Sequence, residues 1–343
     1  MTHHVAIVGA GNISDTHARA ALEIPNVKIE AVCGLVPERV ARLADQYGAT
    51  GYTDYEECLR HEPLSVVLLG TPSGLHAQQA RAAVRHGLHV LVEKPLDVRT
   101  SEIDPLIAEA DAAGVKVGVF FQDRTSPDLL WLKRLIDRGE LGTPILASAQ
   151  VKWYRPPEYF VGTGWRATWA LDGGGALMNQ GIHTLDLLLW LFGDVARVSA
   201  RMGTLLQKIE VEDTVVSTLE FENGALGTLE ATTAAYPGYP RRIELTGSQG
   251  TVVIESDKIV AVDLRTPPSE PRPVSEGSKN ASASSAVVSD VSGHRRVLES
   301  FFRAIETGSA PSCDGREGRR SVELAEAVYR SARAGEAVTL GKG

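Results

Sequence analysis

Val5-Ala6-Ile7-Val8-Gly9-Ala10-Gly11-Asn12-Ile13-Ser14, followed by a helical stretch to about Glu23, decides the fold of this 343-residue chain. A short apolar strand runs through a glycine turn straight into a helix. Glycines there let the backbone approach a pyrophosphate, and the helix N-terminus attracts the anion. Gly9 and Gly11 are therefore candidate nucleotide contacts. Ser14 stands where the usual dinucleotide fingerprint has a third glycine, and it is small enough to keep helix close to strand.

The second strand, Val27 to Cys33, ends at Gly34. An NAD-preferring protein ordinarily places an acid there to bond the adenosine ribose. Glycine removes the charge that would repel a 2′-phosphate, and Arg39 one turn on either binds that phosphate or is a solvated helix residue. Both NAD and NADP stay open as cofactors.

The strand-helix rhythm continues through Ser65 to Leu69, a helix from about Gly74 to His86, Leu88 to Val92, a helix from Ser101 to Ala113, and Val115 to Phe120. Such alternation implies a doubly wound parallel sheet, whose ligands sit beyond the carboxyl ends of the strands. Glu93-Lys94-Pro95 closes the apolar run Val90-Leu91-Val92 at one such end. Proline lacks an N–H and keeps the residue before it extended, which aims Lys94. Beside a cationic ring a lysine loses pKa and becomes a proton donor or acceptor near neutrality; taken alone it is more often an ordinary strand-end lysine, a reading the rest of the chain reverses. Thr71 to His76, TPSGLH, lies at the same edge. His76 either touches a cofactor ribose or fills backbone hydrogen bonds at the helix start.

Forty-three acidic against thirty-five basic residues give a net charge of −8, which argues against nucleic-acid or anionic-membrane partners. A hydrophobic content of 43% fills the cores of two ordinary domains. Cys33, Cys58 and Cys313 are widely spaced, so neither a disulfide framework nor a zinc site is indicated. No signal-peptide pattern or apolar run of membrane-spanning length is expected, and the reading is a cytoplasmic protein without a metal.

The character changes after Phe121. Pro127 to Arg138 is amphipathic and Ile145 to Lys152 reads as a strand. Trp153, Tyr154, Tyr159, Phe160, Trp165 and Trp169 then crowd one stretch with Arg155, Arg166, Pro156, Pro157, Gly162 and Gly164. Aromatic faces suit sugar rings and arginines hold phosphate or carboxylate, so the stretch reads as a binding loop, with core packing explaining some of the rings. In Asp172 to Gly193, DGGGALMNQGIHTLDLLLWLFG, the glycines can admit a ligand to the backbone. Asn179 and His183 are four apart on one helical face, with Asp186 three further on. A histidine on so apolar a helix is more often core; the amide before it and the glycine entry favour catalysis.

From Ala196 to Leu264 the pattern is strands: Val198 to Leu206, Thr214 to Phe221, Ala225 to Thr233, Arg242 to Leu245, Thr251 to Ile254 and Ile259 to Leu264. Asn223-Gly224 signals a hairpin. The broad sheet is expected to form a homodimer or homotetramer. Thr266 to Gly293 reads as a mobile loop, and His294 to Glu306 and Glu317 to Ala334 as closing helices. The domains are placed at 1–121, dinucleotide-binding, and 122–343, substrate-binding and oligomerising.

On GAGNIS, TPSGLH, GLHVLVEKPL, FQDR, GWR and GGGALMNQGIHTLD, the chain resembles the Gfo/Idh/MocA oxidoreductases (glucose–fructose oxidoreductase, inositol dehydrogenase, rhizopine catabolism) along nearly its whole length. The resemblance implies an N-terminal Rossmann domain, a C-terminal α/β domain with a large, mostly antiparallel sheet, a nicotinamide cofactor and a sugar or polyol substrate. It implies Lys94 and His183 as catalytic residues. Asn12, Ile13, Thr71, Pro72, His76, Glu93, Lys94, Gln122, Trp165 and Arg166 fall where the family contacts its cofactor. Lys94, Arg124, Tyr154, Arg166, Asn179 and His183 fall where substrate is expected. Many members carry aspartate where this chain has Asn179; an amide orients His183 without stabilising an imidazolium by charge, so a weaker base is expected. Asn179 with TPSGLH resembles the branch that oxidises carbon 3 of UDP-N-acetylglucosaminuronate. The expected reaction is hydride transfer between a sugar secondary alcohol and the nicotinamide. A redox-neutral glycosidase with tightly held NAD and a non-catalytic nucleotide sensor are the competing readings.

Overall fold

The computed structural model describes residues 1–162, 164–273 and 290–341. They group into two compact units, Met1–Gln122 with Val287–Arg319, and Asp123–Ala286 with Arg320–Gly343.

The first unit alternates β1 (His3–Val8), α1 (Asn12–Leu22), β2 (Val27–Cys33), α2 (Pro37–Tyr47), β3 (Thr50–Tyr52), α3 (Tyr55–Leu59), β4 (Val66–Leu69), a 3-10 turn at Ser73–Leu75, α4 (His76–Arg85), β5 (His89–Val92), α5 (Thr100–Ala113) and β6 (Val117–Val119). The six strands form a parallel sheet in the order β3-β2-β1-β4-β5-β6. Val66–Leu69 is buried throughout, as strands covered on both faces require. Strand order reverses between β1 and β4, where Gly9 and Gly70 meet. A Cβ on Gly9 would lie 2.6 Å from the Gly70 carbonyl oxygen, and Gly9 has φ +106°; only glycine fits.

The sequence division leaves everything after residue 121 to the second domain, whereas Val287–Arg319 groups with the first unit. Its helix α8 (Ser292–Thr307) buries Phe301 and Phe302 in the same core as Val5, Ile7, Val66 and Leu68. A Cβ on Gly118 would come within 2.9 Å of the Phe301 ring, so β6 carries glycine where that ring lies on it.

The second unit contains a 3-10 turn at Gln122–Thr125, shared with the end of the first unit, then α6 (Pro127–Asp137), β7 (Pro144–Lys152), a π-helical turn at Ala176–Gly181, α7 (Ile182–Phe192), β8 (Val195–Gly203), β9 (Thr214–Phe221), β10 (Leu226–Thr232), β11 (Arg242–Gly247), β12 (Gly250–Glu255) and β13 (Lys258–Leu264). After α8, the division between units falls inside α9 (Gly315–Ala334), and β14 (Val338–Thr339) ends the described chain. The eight-stranded sheet has the order β13-β12-β11-β7-β10-β9-β8-β14. Its pairs are antiparallel except β10 with β7. Asn223-Gly224 turns the β9–β10 hairpin, with Gly224 at φ +86° and Asn223 Nδ2 donating to the Phe192 carbonyl at 2.7 Å.

Three expectations change. Strand β8 stops at Gly203 rather than Leu206, because the N–H groups of Leu205, Leu206 and Gln207 all donate to the Asp213 carboxylate. The helix expected around Asn179 starts as a π turn. The start of the expected mobile loop is tied to α6: Trp131 Nε1 donates to the Glu270 carbonyl at 2.9 Å, and Arg272 pairs with the buried Asp128. Residues 274–289 of that loop lie outside the described residues. Among the described residues, no helix is long and apolar enough to cross a membrane.

Candidate active site

In the first unit the glycine turn fits a dinucleotide. Helix α1 begins at Gly11 with no side chain capping it, so its first N–H groups are left for an anion. A Cβ on Gly11 would meet nothing within 4 Å, so the space beside the glycine turn is open. Asn12 is exposed and Ile13 half-buried at this entry. Ser14, at the third-glycine position, is fully buried, and the tight packing expected there is present.

Gly34 has a steric reason as well as an electrostatic one. A Cβ there would lie 3.1 Å from Ala10 Cβ and 3.2 Å from Val40 Cγ2. An acid at this position would press on the glycine turn itself. Arg39 lies exposed on α2, available to solvent or to a phosphate.

Of the two readings of His76, the structure supports the backbone one. The ring is 1% exposed; Nδ1 faces the Pro95 carbonyl at 2.8 Å and Nε2 the Thr71 carbonyl at 2.9 Å. His76 thus ties the TPSGLH turn to the residue after Lys94. Thr71 Oγ1 donates to Gln79 Oε1 at 2.5 Å, and Pro72 is half-buried before the 3-10 turn.

Glu93 turns inward beneath the strand end. Its Oε1 accepts from His17 Nε2 at 2.9 Å and faces His294 Nε2 at 3.5 Å, while Oε2 accepts the Lys94 N–H at 3.1 Å. Burial alone would raise the Glu93 pKa; the two imidazoles overcome it and hold the carboxyl well below its ordinary range. Burial lowers the pKa of His17, whose ring stacks on Phe120 at 4.3 Å. These three side chains bring metal-ligating atoms within 4.8 Å of one another, but hydrogen bonding already satisfies the carboxylate. Glu93 therefore acts through the Lys94 backbone rather than standing at the surface as a cofactor contact. Lys94 itself is half-buried, and its peptide with Pro95 is cis. Gln122 closes this unit, half-buried against Gly293.

In the second unit, Gly174 and Gly175 of the glycine run admit the protein's own groups. A Cβ on Gly174 would lie 2.0 Å from Tyr329 Oη, and one on Gly175 2.0 Å from the Glu212 carbonyl oxygen. The buried Glu212 carboxylate accepts the N–H groups of Gly175 and Leu177 and the Tyr329 hydroxyl, each at 2.9 Å. Burial raises the pKa of both Glu212 and Tyr329. Together they hold the start of the π turn.

That turn alters the expected geometry. It spans Ala176–Gly181, so Asn179 and His183 are not one regular α-helical turn apart; π turns of this kind recur at functional sites. Asn179 Nδ2 donates to Asp172 Oδ1 at 2.5 Å, and its Oδ1 accepts from Gln180 Nε2 at 2.7 Å. His183 opens α7 half-buried, with Nδ1 3.4 Å from Asp123 Oδ2. The same Asp123 oxygen lies 2.8 Å from Arg241 Nη2.

Arg124, expected to reach substrate, is 2% exposed and paired two-fold with Asp186 at 2.8 and 2.7 Å. It is a buried staple between its 3-10 turn and α7. In the aromatic stretch, Arg155 is buried, bonded to Gln180 Oε1 at 2.8 Å and stacked 5.0 Å from the Trp153 ring; burial lowers its pKa. Arg166, half-buried, lies 4.5 Å from the Tyr159 ring and 5.2 Å from that of Trp165. Tyr154 meets Tyr236 edge-on at 5.3 Å, and Trp169 packs against Tyr329 and Arg333. Trp153 is buried and serves packing, while Tyr154, Trp165, Arg166 and Trp169 keep partial exposure.

Comparison with known proteins agrees with this arrangement. Residues 3–121 match the oxidoreductase family with an NAD-binding Rossmann fold, and residues 129–253 match the GFO/IDH/MocA C-terminal domain. The WlbA dehydrogenase of Chromobacterium violaceum, solved with NADH and UDP-GlcNAcA, is 32% identical with a TM-score of 0.89, covering 100% of this chain and 97% of that one. The chain belongs to the Gfo/Idh/MocA oxidoreductase family. The Bordetella pertussis WlbA dehydrogenase, with the same two ligands, is 30% identical with a TM-score of 0.88 over 100% of both chains. D-apiose dehydrogenase of Paraburkholderia graminis is 26% identical, covering 98% of this chain and 89% of its own.

As a Gfo/Idh/MocA protein, the chain is an NAD(P)-dependent oxidoreductase. Its sequence drew attention to Lys94, His183 and Asn179 but not to Asp123, Arg241, Asp172, Glu212, His17 or His294. Asp123 stood inside the quoted FQDR motif; its partners are distant in sequence, so no local spacing pointed to them.

Proposed function

We propose that this Gfo/Idh/MocA enzyme oxidises a secondary alcohol of a nucleotide-linked sugar acid of the UDP-GlcNAcA class, with a nicotinamide dinucleotide as acceptor. The observation that carries the chemistry is His183 with a carboxylate behind its Nδ1, an arrangement that makes the other ring nitrogen a base for a hydroxyl proton. The substrate class is supported by end-to-end likeness to two dehydrogenases solved with UDP-GlcNAcA.

Gly9, Gly11 and the uncapped N-terminus of α1 would hold the pyrophosphate, with Gly34 and Arg39 on the adenosine side. Asn12, Ile13, Thr71, Pro72, Gln122 and Trp165 complete the cofactor assignment. The bound cofactor supplies the hydride acceptor. Lys94 and His183 take up the hydroxyl proton, Asn179 fixes the π turn, and Tyr154 and Arg166 hold the sugar ring and its anionic group. Arg166 retains a guanidinium over two aromatic faces, a geometry suited to carboxylate or phosphate.

We assign the protein to the cytoplasm, in keeping with three buried free cysteines. We assign homo-oligomerisation to the outer face of the eight-stranded sheet, where Leu146, Val216 and Leu226 are about half exposed among outward-facing Thr218 and Thr228.

The test is appearance of reduced nicotinamide absorbance with NAD or NADP and a panel of UDP-uronates, UDP-sugars, free aldoses and inositols. Turnover confined to UDP-uronates supports the reading. Turnover confined to free sugars or inositols contradicts the substrate class, and turnover without net cofactor reduction contradicts the dehydrogenase reaction.

A further inference from the structure

We propose that Asp123 is the carboxylate partner of His183, held in place by Arg241, and that it supplies the negative charge that Asn179 does not. The assignment rests on the dehydrogenase reading and adds to it a positioning residue outside the π turn.

Three observations converge on this pair. Asp123 Oδ2 lies 3.4 Å from His183 Nδ1 and 2.8 Å from Arg241 Nη2. The side chains of Asp123, His183 and Arg241 are only 12, 13 and 9% exposed, so solvent screens the attraction weakly. The turn carrying Asp123 is also fixed on both sides: Arg124 grips Asp186, three residues beyond His183 on α7, and Arg241 Nε donates to the Ser256 carbonyl at 3.0 Å. The carboxylate is thus placed by two independent anchors rather than by its own flexible torsions.

The proton accounting follows. At 3.4 Å the contact is an ion pair rather than a hydrogen bond, and the Asp123 charge favours hydrogen on the nearer nitrogen, Nδ1, leaving the Nε2 lone pair to accept a proton. When the substrate C–H leaves as hydride and the O–H bond breaks, the hydroxyl proton moves to Nε2. The resulting imidazolium has Asp123 at its other nitrogen. Asn179 is engaged elsewhere, with Asp172 and Gln180.

Near this pair, Arg241 lies against Asp123, the Arg124–Asp186 pair ties the adjoining turn to α7, and Asp257 is coupled to both Asp123 and Arg241. Burial raises the Asp257 pKa first and the Asp123 charge adds to it. Asp123 Oδ2 lies within direct ion-pair distance of the ring.

The experiment is an NMR titration of the His183 imidazole in the cofactor-loaded full-length protein, its signal assigned by loss in His183→Gln. Asp123→Asn removes the charge and keeps the shape. The His183 pKa is expected to fall by about one unit or more, with the acid limb of the kcat profile changing alongside it and cofactor Kd unchanged. Arg241→Gln is the second variant, and losing both its positive charge and its hold on Asp123 is expected to shift the His183 pKa. An unchanged His183 pKa in folded Asp123→Asn overturns the pairing, as does an unchanged one in Arg241→Gln. A shifted pKa with an unaltered kcat profile overturns the role in the reaction. Because the titration needs no turnover, failure of the substrate reading leaves this result interpretable.

Discussion

Asn179 Nδ2 donates to Asp172 Oδ1 at 2.5 Å, and the other Asp172 oxygen accepts the Ala167 N–H at 2.8 Å. The carboxylate needs a donor at position 179. Asparagine supplies one, whereas aspartate would set two carboxylates against each other, and one would keep its proton to a raised pKa. A carboxyl whose folded pKa is raised stabilises the fold fully only below its unfolded value, about 4, and that contribution is lost as pH rises through the folded pKa. Asn179→Asp should therefore match the parent most closely near pH 4 and fall behind it by about 1–3 kcal/mol by pH 8. Urea unfolding across that range measures the difference.

Beneath Lys94, His17 contributes to the acid sensitivity of the first unit, together with His89 on β5, whose pKa burial also lowers. Burial lowers the folded pKa of His17 from the ordinary 6.5, so its contribution is present above the unfolded value and lost as pH falls through the folded one. Glu93 adds a second loss at lower pH, since its folded pKa also lies below the unfolded value. The urea midpoint should fall as pH drops from about 7 to 5. His17→Gln should be about 1–3 kcal/mol less stable at neutral pH, with a flatter dependence over that interval.

Gly34→Asp is a conventional way to favour NAD over NADP, but here it should weaken both. The added Cβ would press on Ala10, within the glycine turn, and on Val40. Calorimetric titration should show Kd rising about ten-fold for each cofactor, equivalent to about 1.4 kcal/mol. A gain for NAD alone would contradict the packing argument.

Arg124→Met should destabilise the second unit strongly. The substitution leaves Asp186 charged at 1% exposure without its two-fold partner, a change that costs about 3–5 kcal/mol. Thermal and urea unfolding of folded, purified protein would record it. Retention of parental stability would make Arg124 available for the substrate role that sequence suggested.

The Rossmann frame was legible because each feature is local. Val5–Val8 with Gly9 and Gly11, and Val90–Val92 before Lys94, announce strand, turn and site within a few residues. The Asn223-Gly224 hairpin was readable for the same reason. The π turn was not, because it is stabilised by Glu212 and Tyr329, distant in sequence from Gly175 and Met178. The return of Val287–Arg319 to the first unit depends on Phe301 and Phe302 filling that core, which periodicity alone does not assign to either unit. Arg124 misled because a polar motif identifies a useful charge without showing that Asp186 already neutralises it.

The most direct test of the central claim is mass analysis of the nicotinamide after incubation with UDP-GlcNAcA deuterated at the oxidised carbon. The account predicts stoichiometric transfer of deuterium to the reduced cofactor, abolished in His183→Gln protein that still binds the dinucleotide. Consumption of the sugar nucleotide with no deuterium on the nicotinamide would contradict it.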